Sequence, residues 1–408
     1  MTLFLLQIAG IVLALSTLPL LAELLVLTVA AWLPPSDKTN AIDGSQPFPL
    51  TVVVPAHNEE ALIDRCVSSI VESADRTTEV LVVAHNCTDE TAAKARTAGA
   101  RVLVLNDPDR RGKGQALNFG FQAALAGASQ AVLVIDADSV VCSEMIAAVR
   151  NRFLDGAQAL QCRYEVNNSQ DNWRTSLMTL AFRAFNVIRP RGRNRLGLSA
   201  GVFGNGFAIH RDVLTRIPYG SFSVVEDLQY HLELVRSGIR VEFVDSATVR
   251  GEMPISAKGA RTQRARWEGG RLQMMMHMAP RLVREVLCGR LRLVEPLLDL
   301  LSLPITSAVV VLVIAGCLPF EWLRFYVASG IAVLLLHVST AAVGGPGLWE
   351  TLKALVTAPA HLLWKVSVFP DTLRAARTEA VWVRTERETV VNRRKPESDR
   401  RFRINPIL

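Results

Sequence analysis

Residues 131–138 read AVLVIDAD, a run of apolar residues that ends in two carboxylates one residue apart. The run is typical of a buried strand, and Asp136 and Asp138 follow where the backbone leaves the sheet. Hard oxygen ligands at the end of a strand suit Mg²⁺ or Mn²⁺ held jointly with a diphosphate. The alternative interpretation is structural, because Asp is also a common turn or N-cap residue ahead of a helix.

Three further runs rich in Val, Ile or Leu precede this one, at residues 51–56, 79–85 and 101–106. The lengths between them fit one crossover helix each, so residues 49–246 are expected to form an α/β domain with a mostly parallel sheet covered on both faces. Two of these runs end in the polar sequences PAHNE (55–59) and HNCTD (85–89). Ligands bind beyond the carboxyl ends of such strands, and these ends are therefore predicted to share one crevice with Asp136 and Asp138.

The chain has 408 residues, half of them apolar, with a mean hydropathy of +0.25. This composition excludes a disordered protein and points to apolar blocks in a bilayer. Residues 1–34 form one predicted anchor helix with Glu23 as its only charge, and a cleaved signal peptide is the competing interpretation. Apolar runs at 293–320 and 322–343, joined by a tight turn, predict a transmembrane hairpin over 293–343.

Whether the segment 350–370 crosses the bilayer is harder to predict, because Lys353, His361 and Lys365 interrupt its apolar run and Pro359 breaks it. The tail over 371–408 is rich in Arg and is expected to stay on the cytoplasmic side. If the α/β domain is cytoplasmic too, the number of crossings between domain and tail is even. We therefore expect two full spans and an interfacial or re-entrant helix over 350–370, in a multi-pass protein of the cell membrane. The net charge of +7 lies beside apolar segments, which favours anionic lipid over nucleic acid as a partner.

The sequence contains neither G-x-G-x-x-G after the first strand nor a Walker A motif, which argues against dinucleotide and NTPase sites. Lys113 lies between two glycines, where it can approach a phosphate or belong to an ordinary loop. Residues 186–201, with four arginines, are typical of a basic mobile loop that could meet an anionic lipid.

Two more groups of polar residues follow the predicted strands. Glu226 and Asp227 open a helix, where acidic residues also simply favour the helix dipole. Gln263, Arg266 and Trp267 share one face of a helix at i, i+3 and i+4. An amide, a guanidinium and an indole on one stripe suggest a binding surface, whereas the alternative is a basic amphipathic helix on the membrane, a role also predicted for residues 271–292.

Taken together and in this order, these motifs resemble those of the membrane-bound family 2 glycosyltransferases, which include the cellulose, chitin and hyaluronan synthases and the ceramide glucosyltransferases. The resemblance covers about residues 48–270, and residues 382–387 (WVRTER) resemble a segment common after the last membrane helix of such enzymes. The motifs that carry it are VPAHNE at 54–59, Asp89, DAD at 136–138, Glu226-Asp227 and QRARW at 263–267.

The resemblance implies a GT-A nucleotide-sugar fold that performs inverting transfer by single displacement. The implied donor-binding residues are Pro55, Asn58, Glu59, His85, Asp89, Lys113, Asp136, Gln263 and Arg266. Asp138 is implied to bind Mg²⁺ or Mn²⁺, Asp227 to act as the general base, and Trp267 and Glu226 to contact the acceptor. His85 stands where the family usually has an Asp that accepts a hydrogen bond from the uracil base, a role that a neutral imidazole can also fill.

The expected function is therefore transfer of a sugar from a nucleotide-sugar, a UDP-sugar by resemblance, to a lipid-linked or growing glycan acceptor at the cytoplasmic face. About three spans are few for a polymer channel, which favours single or few additions over processive exopolysaccharide synthesis. Two other classes stay open, an inactive relative that acts as a membrane scaffold and a transporter. An oligomer or an export partner is compatible with all of these.

Overall fold

A computed structural model describes residues 1–35, 47–171, 173–220, 225–343, 345 and 348–377. Within them, eight strands form one sheet in the order β3-β2-β1-β4-β7-β6-β8-β5. The strands are β1 (Leu50–Ala56), β2 (Thr78–His85), β3 (Arg101–Leu105), β4 (Ala131–Val134), β5 (Ser139–Val141), β6 (Ala159–Val166), β7 (Phe207–His210) and β8 (Val241–Gly251). The four strands expected from the sequence are β1 to β4, and their bounds agree with the prediction to within two residues.

The helices lie between these strands and at both ends of the chain. They are α1 (Thr2–Ala30), α2 (Ile63–Ser73), α3 (Thr91–Thr97), α4 (Lys113–Ala126), α5 (Met145–Leu154), α6 (Trp173–Arg183), α7 (Arg189–Arg195), α8 (Arg211–Arg216), α9 (Glu226–Arg236), α10 (Ala257–Leu287), α11 (Val294–Leu301), α12 (Ile305–Gly316), α13 (Glu321–Ala342), α14 (Leu348–Val356) and α15 (Ala358–Arg377).

The sheet is mixed, with a parallel half and a half that contains antiparallel strands. β1 pairs in parallel with β2 and β4, and β2 with β3, as expected. β7 then runs antiparallel to both β4 and β6, and β5 antiparallel to β8. The predicted parallel sheet is thus confirmed for β1 to β4, and the antiparallel extension is a feature that the sequence pattern did not predict.

Helices cover both faces of the sheet, as expected for an α/β domain. On one face α2 and α5 bury side chains such as Ile63, Val67 and Val149 against the strands. On the other face α4 and α9 bury Leu117, Phe121 and Tyr230. The resulting two-sided core holds the carboxyl ends of β1 and β4 in a fixed position.

Two described helices, α1 and α13, are long and apolar enough to cross a membrane. The run over 293–320, expected as one straight span, is instead α11 and α12 with a bend of 72° between them. The bend falls at Ser302 to Pro304, because proline lacks the amide hydrogen that a continuous helix needs and disfavours helical backbone in the residue before it. The predicted tight turn before the next span is confirmed, since α12 ends at Gly316 and α13 begins at Glu321.

The C-terminal helices differ from the expected boundaries. α10 runs without interruption across residue 270, where the catalytic domain was expected to end, and it packs along α15. The segment 350–370 comprises α14 and most of α15, with the break just ahead of Pro359. α15 continues to Arg377, into the region expected to be a tail. Residues 378–408, including the motif at 382–387, lie outside the described residues.

The arginine-rich stretch 186–201 is not a solvated loop. It contains a π-helical turn, Ala184–Ile188, followed by α7, and Arg189 and Arg193 are each 3% exposed. The prediction of a basic mobile loop is therefore wrong. These side chains are buried because three carboxylates from two other helices, α1 and α11, neutralise them, as described below.

Candidate functional site

A cavity of about 1470 Å³ opens at the carboxyl end of β4, between the sheet, α9 and α10. Its wall contains eight of the residues expected to act in catalysis or binding: Lys113, Asp136, Asp138, Glu226, Asp227, Gln263, Arg266 and Trp267. These residues come from four segments of the chain that are up to about 150 positions apart. The fold therefore brings together the acidic, basic and aromatic groups that the sequence singled out.

Asp136 and Asp138 occupy the short connection between β4 and β5, and a buried asparagine holds this connection in place. Asn205 accepts a hydrogen bond from the Asp136 backbone N–H at 3.1 Å and donates one to the Ser139 hydroxyl at 2.8 Å. Ser139 in turn donates to Asp138 Oδ1 at 3.1 Å. The orientation of both carboxylates thus depends on Asn205, which is fully buried.

Lys113 links the two acidic parts of the site. As the first residue of α4, it forms an ion pair with Asp136 and donates a hydrogen bond to the Gly204 carbonyl oxygen at 2.5 Å. Burial alone would lower the pKa of Lys113, but the nearby carboxylates of Asp136 and Glu226 raise it above its usual value. The ammonium group therefore stays charged beside both acidic groups.

Glu226 and Asp227 lie in the first turn of α9 and face the cavity. Asp227 Oδ1 accepts a hydrogen bond from the Leu228 backbone N–H at 2.8 Å. Burial raises the pKa of Glu226, and the neighbouring Asp227 raises it further. Burial also raises the pKa of Asp227, against the opposing effects of the Leu228 amide and Lys113. A carboxylate with a raised pKa is a better proton acceptor than an exposed one.

Gln263, Arg266 and Trp267 present one face of α10 to the cavity, which confirms that they share a helix stripe. The Trp267 ring lies 6.1 Å from the Phe182 ring, centroid to centroid, and Phe182 lies 5.3 Å from the ring of Tyr164. The three rings, from β6, α6 and α10, form an aromatic part of the cavity wall.

The other five expected donor residues do not belong to the described cavity wall. They are Pro55, Asn58, Glu59, His85 and Asp89. Asn58 Oδ1 accepts a hydrogen bond from the Thr88 N–H at 2.8 Å, and Asp89 accepts one from the Glu60 N–H at 3.2 Å. These contacts join the loops after β1 and β2. A direct contact of these side chains with a donor stays a prediction.

His85 lies just behind the cavity wall, against the backbone of Arg110 and Gly112. It is 5% exposed, and burial lowers the pKa of its imidazole below the usual value. The ring is therefore neutral at pH 7. This is the state in which one of its ring nitrogens can accept a hydrogen bond, as the interpretation of His85 as a base-binding residue requires.

The residues present fit a divalent cation shared with a phosphate group. No cluster of three or more His, Cys, Asp or Glu side chains that could hold a metal ion occurs among the described residues. Mg²⁺ is commonly held by one or two carboxylates together with substrate phosphates. Asp136 and Asp138 supply such a pair of hard oxygen ligands at the cavity wall.

Sequence reasoning missed several residues of this site. Gly204 packs against Asp227 and Lys113, and Asn205 positions the carboxylates of residues 136 and 138. Glycines on both sides of Asn205, in the sequence GNG at 204–206, indicate only that another group can approach the backbone closely there. Tyr164 and Phe182 had no signal, because an aromatic residue in a strand or helix more often belongs to the core.

Known proteins with a similar sequence or structure carry glycosyltransferase names. YdaM of Bacillus subtilis (strain 168), a probable glycosyltransferase, is 25% identical over 235 residues, 54% of this chain and 54% of its own length. The 4,4'-diaponeurosporenoate glycosyltransferase of Staphylococcus aureus (strain MRSA252) is 31% identical over 114 residues, 27% of this chain and 30% of its own length. The chain thus spans about half, or less, of these curated relatives.

Among solved structures, the mannosyltransferase PcManGT from Pyrobaculum calidifontis, in complex with GDP-Man and Mn²⁺, superposes with a TM-score of 0.53 at 19% identity, over 91% of this chain and 97% of that one. At this identity the likeness concerns the fold, and it confirms the GT-A fold. The model of the protein family described as "Glycosyltransferase like family 2" matches residues 47–270 of this chain. This match covers more than half of the chain, including every part of the sheet that lines the cavity. The chain therefore belongs to that family.

Proposed function

We propose that this protein is a membrane-bound inverting glycosyltransferase that moves a hexose from a nucleotide-sugar, by preference a UDP-sugar, to a lipid-linked or growing glycan acceptor at the cytoplasmic face. One observation carries the proposal. The carboxylates of Asp136, Asp138 and Asp227 line the same cavity as Gln263 and Arg266. This set contains a metal site, a proton acceptor and donors for a diphosphate.

The donor side of the proposal rests on the two walls of the cavity. Asp138, with Asp136 beside it, would hold Mg²⁺ or Mn²⁺, which when bound neutralises charge on the diphosphate. From the opposite wall, Gln263 and Arg266 would donate hydrogen bonds to the phosphate oxygens. Negative charge grows on the leaving diphosphate during transfer, so donors already in place lower the barrier.

The acceptor side rests on Asp227. Its carboxylate would take the proton of the acceptor hydroxyl while the hydroxyl oxygen attacks the anomeric carbon, and the diphosphate would leave from the opposite face. A single displacement of this kind inverts the anomeric configuration and needs only one carboxylate base. The Leu228 N–H holds one oxygen of Asp227 and leaves the other directed toward Gly204 at the cavity wall.

The proposed membrane topology is supported by the direction of two helices. Thr17 contacts Tyr326 at 2.7 Å and Thr28 contacts His337 at 2.7 Å, so α1 and α13 run in the same direction. The end of α1 leads to the catalytic domain, and α13 therefore ends on the same side. An even number of crossings between the domain and the end of α13 follows, as expected for the pair α12 and α13.

The span count favours single or few additions within this proposal. The described residues contain two candidate spans, or up to three if α11 and α12 form one bent span. A polymer channel needs a closed wall of lining groups, which so few helices cannot provide. Processive polysaccharide synthesis is therefore the less favoured alternative.

The test uses purified protein in lipid nanodiscs with Mg²⁺ or Mn²⁺, a panel of nucleotide-sugars and total membrane lipid as acceptor, with release of nucleoside diphosphate as the readout. Release with one donor is expected, together with a loss of about 10² to 10⁴-fold in Asp227→Asn. Asp212→Asn is the matched control, since the Asp212 side chain is 86% exposed at the start of α8. Equal activity in both variants would contradict the assignment of the base, and no release with any donor would contradict the proposed activity.

A further inference from the structure

The cavity is larger than a nucleotide-sugar requires. Its volume of about 1470 Å³ exceeds the range of roughly 300 to 1,000 Å³ that is usual for small-molecule sites. Of the groups that would hold the donor, Lys113, Asp136 and Asp138 lie at the sheet end of the cavity, and Gln263 and Arg266 lie on α10. The remaining volume extends away from the sheet and between the apolar helices.

This second part has an apolar lining, which we call the apolar chamber. Its side chains come from five helices that are distant in sequence. They include Leu24, Leu180, Ile305, Val309, Val338 and Leu355. Apolar side chains of this kind favour a hydrocarbon chain over a sugar chain.

The apolar chamber is walled by helices that would lie in a bilayer. Leu24 belongs to α1 and Val338 to α13, the two helices that qualify as membrane spans. The outer face of α1 exposes large apolar residues such as Leu25, Val26 and Val29. The same helices thus present one apolar face outward and another to the cavity, so the apolar chamber lies at the depth of the hydrocarbon that these helices would cross.

Charged groups between the chamber and the catalytic end are mutually neutralised. Arg189 pairs with Glu23 at 2.5 Å, and Arg193 pairs with Glu23 at 2.8 Å and with Asp299 at 3.1 Å. Arg193 also pairs with Glu295, and Arg271 lies 3.7 Å from Asp299. The cluster, which we call the charge cluster, thus has three arginines against three carboxylates: Arg189, Arg193 and Arg271 with Glu23, Glu295 and Asp299.

The balance in the charge cluster bears on the chemistry of the acceptor. A lipid phosphate bound beside the charge cluster would require surplus positive charge there, and the charge cluster has none. The catalytic end instead holds Asp227 and Glu226, which would repel a phosphate and accept a proton from a hydroxyl. A hydroxyl group is the nucleophile that these surroundings favour.

We infer that the acceptor is a single lipid with a hydroxyl-bearing head, whose hydrocarbon chain occupies the apolar chamber. The inference rests on the proposed function and names its acceptor class. The hydroxyl oxygen forms a bond to the anomeric carbon as the bond from that carbon to the diphosphate oxygen breaks. The proton goes to Asp227, and the diphosphate leaves with the bonding electron pair.

The test uses hexadecanol with a diazirine on its chain, added to the protein in nanodiscs and activated by light. Labelled peptides are expected from α1, α12 and α13. Val309→Trp fills the apolar chamber and is expected to lower the labelling about tenfold. Val313→Trp is the matched control, because it makes the same change one turn further along α12 at a side chain that is 59% exposed.

A second chamber variant and a binding assay for the nucleotide-sugar complete the test. Val338→Trp fills the chamber from α13, and it is expected to repeat the effect of Val309→Trp. Binding of the nucleotide-sugar shows that each variant is folded and tests the proposed function separately from the lipid. A hexadecyl glycoside detected by mass spectrometry, formed by the wild type and reduced in both chamber variants, is the expected product.

Labelling that neither Val309→Trp nor Val338→Trp reduces would overturn the inference, as would stronger labelling and transfer with hexadecyl phosphate that carries the same diazirine. In either case, intact nucleotide-sugar binding and diphosphate release would leave the proposed function standing. Absence of nucleotide-sugar binding by the wild type would instead contradict the proposed function itself.

Discussion

Gly204 offers a sharp test of the proposed catalytic geometry, because a side chain added there would enter the site while the backbone carbonyl keeps its hydrogen bond from Lys113. Its φ angle is +73°, and a Cβ atom added there would lie 3.1 Å from Asp227 Oδ2 and 3.5 Å from Lys113 Nζ. The variant Gly204→Ala therefore introduces one methyl group between the proposed base and the lysine that pairs with Asp136. No charge and no hydrogen-bonding group is removed.

The expected effect has two separate parts. A non-glycine residue in the left-handed region costs about 1 to 2 kcal/mol of folding stability. The added Cβ also contacts Asp227 Oδ2 at 3.1 Å, which is tighter than ordinary van der Waals contact, so the carboxylate has to move by a fraction of an ångström. Because a displacement of about 1 Å can cost about 10²-fold in rate, we expect kcat/KM to fall between about 10 and 10²-fold.

Gly197→Ala separates the two parts. Gly197 has nearly the same φ angle, +72°, and no neighbouring atom lies within 4 Å of its added Cβ. Both variants are expected to lose similar thermal stability, and only Gly204→Ala to lose transfer activity, measured as diphosphate release at saturating metal. If both variants lose the same activity, backbone strain is responsible and the contact with Asp227 is irrelevant. If Gly204→Ala keeps full activity, Asp227 is not the base.

Three further predictions concern pH, metal and stability. Burial raises the pKa of Asp227, so its carboxylate is protonated, and lost as a base, at a higher pH than an exposed aspartate. As pH falls, kcat/KM should therefore begin to decline at a higher pH than an exposed aspartate would give. A decline centred on the usual pKa of aspartate would contradict this. Asp138→Asn should raise the Mn²⁺ concentration needed for half-maximal activity, with little change in thermal stability, and an unchanged metal titration would remove Asp138 from the metal site. Glu23→Leu removes a buried carboxylate partner of Arg189 and Arg193. It should lower the free energy of unfolding by about 3 to 5 kcal/mol, measured by thermal or denaturant unfolding. An unchanged free energy of unfolding would show that the charge cluster is solvated.

The parts of the fold that could be read from the sequence are those set by local pattern. β1 to β4 are continuous apolar runs, and their polar ends mark the edge of the sheet where Asp136 and Asp138 lie. β5, with three residues, could not be found in this way, and neither could the antiparallel pairing of β5 and β7, since their partner strands lie far away in the chain. Their position depends on tertiary contacts, which no short window of sequence contains.

The candidate site residues also differ in whether a sequence motif or only a tertiary contact identifies them. Asp227, Gln263 and Trp267 could be proposed because the motifs that contain them resemble, in this order, those of a known family, although each motif alone also has a structural explanation. Asn205 could not be assigned, because its role consists of two hydrogen bonds to another segment, to the Asp136 amide and the Ser139 hydroxyl. A residue that orients a catalytic group gives no signal of its own in sequence.

The charge cluster shows why the membrane and catalytic parts could not be connected from the sequence. The sequence indicates an isolated charge at Glu23 in an apolar helix, and solvated arginines in α7. In the structure, burial of Glu23 is favourable only because the arginines pair with it, and burial of the arginines only because the carboxylates pair with them. Glu23 and Arg193 are 170 positions apart, and α7 approaches α1 so closely at Gly192 that a Cβ there would collide with the Leu27 carbonyl oxygen. A balanced ion network and a backbone contact fix the height of α1 relative to the catalytic domain. This determines how far the apolar chamber lies from Asp227, and thereby which lipids can place a hydroxyl at the base.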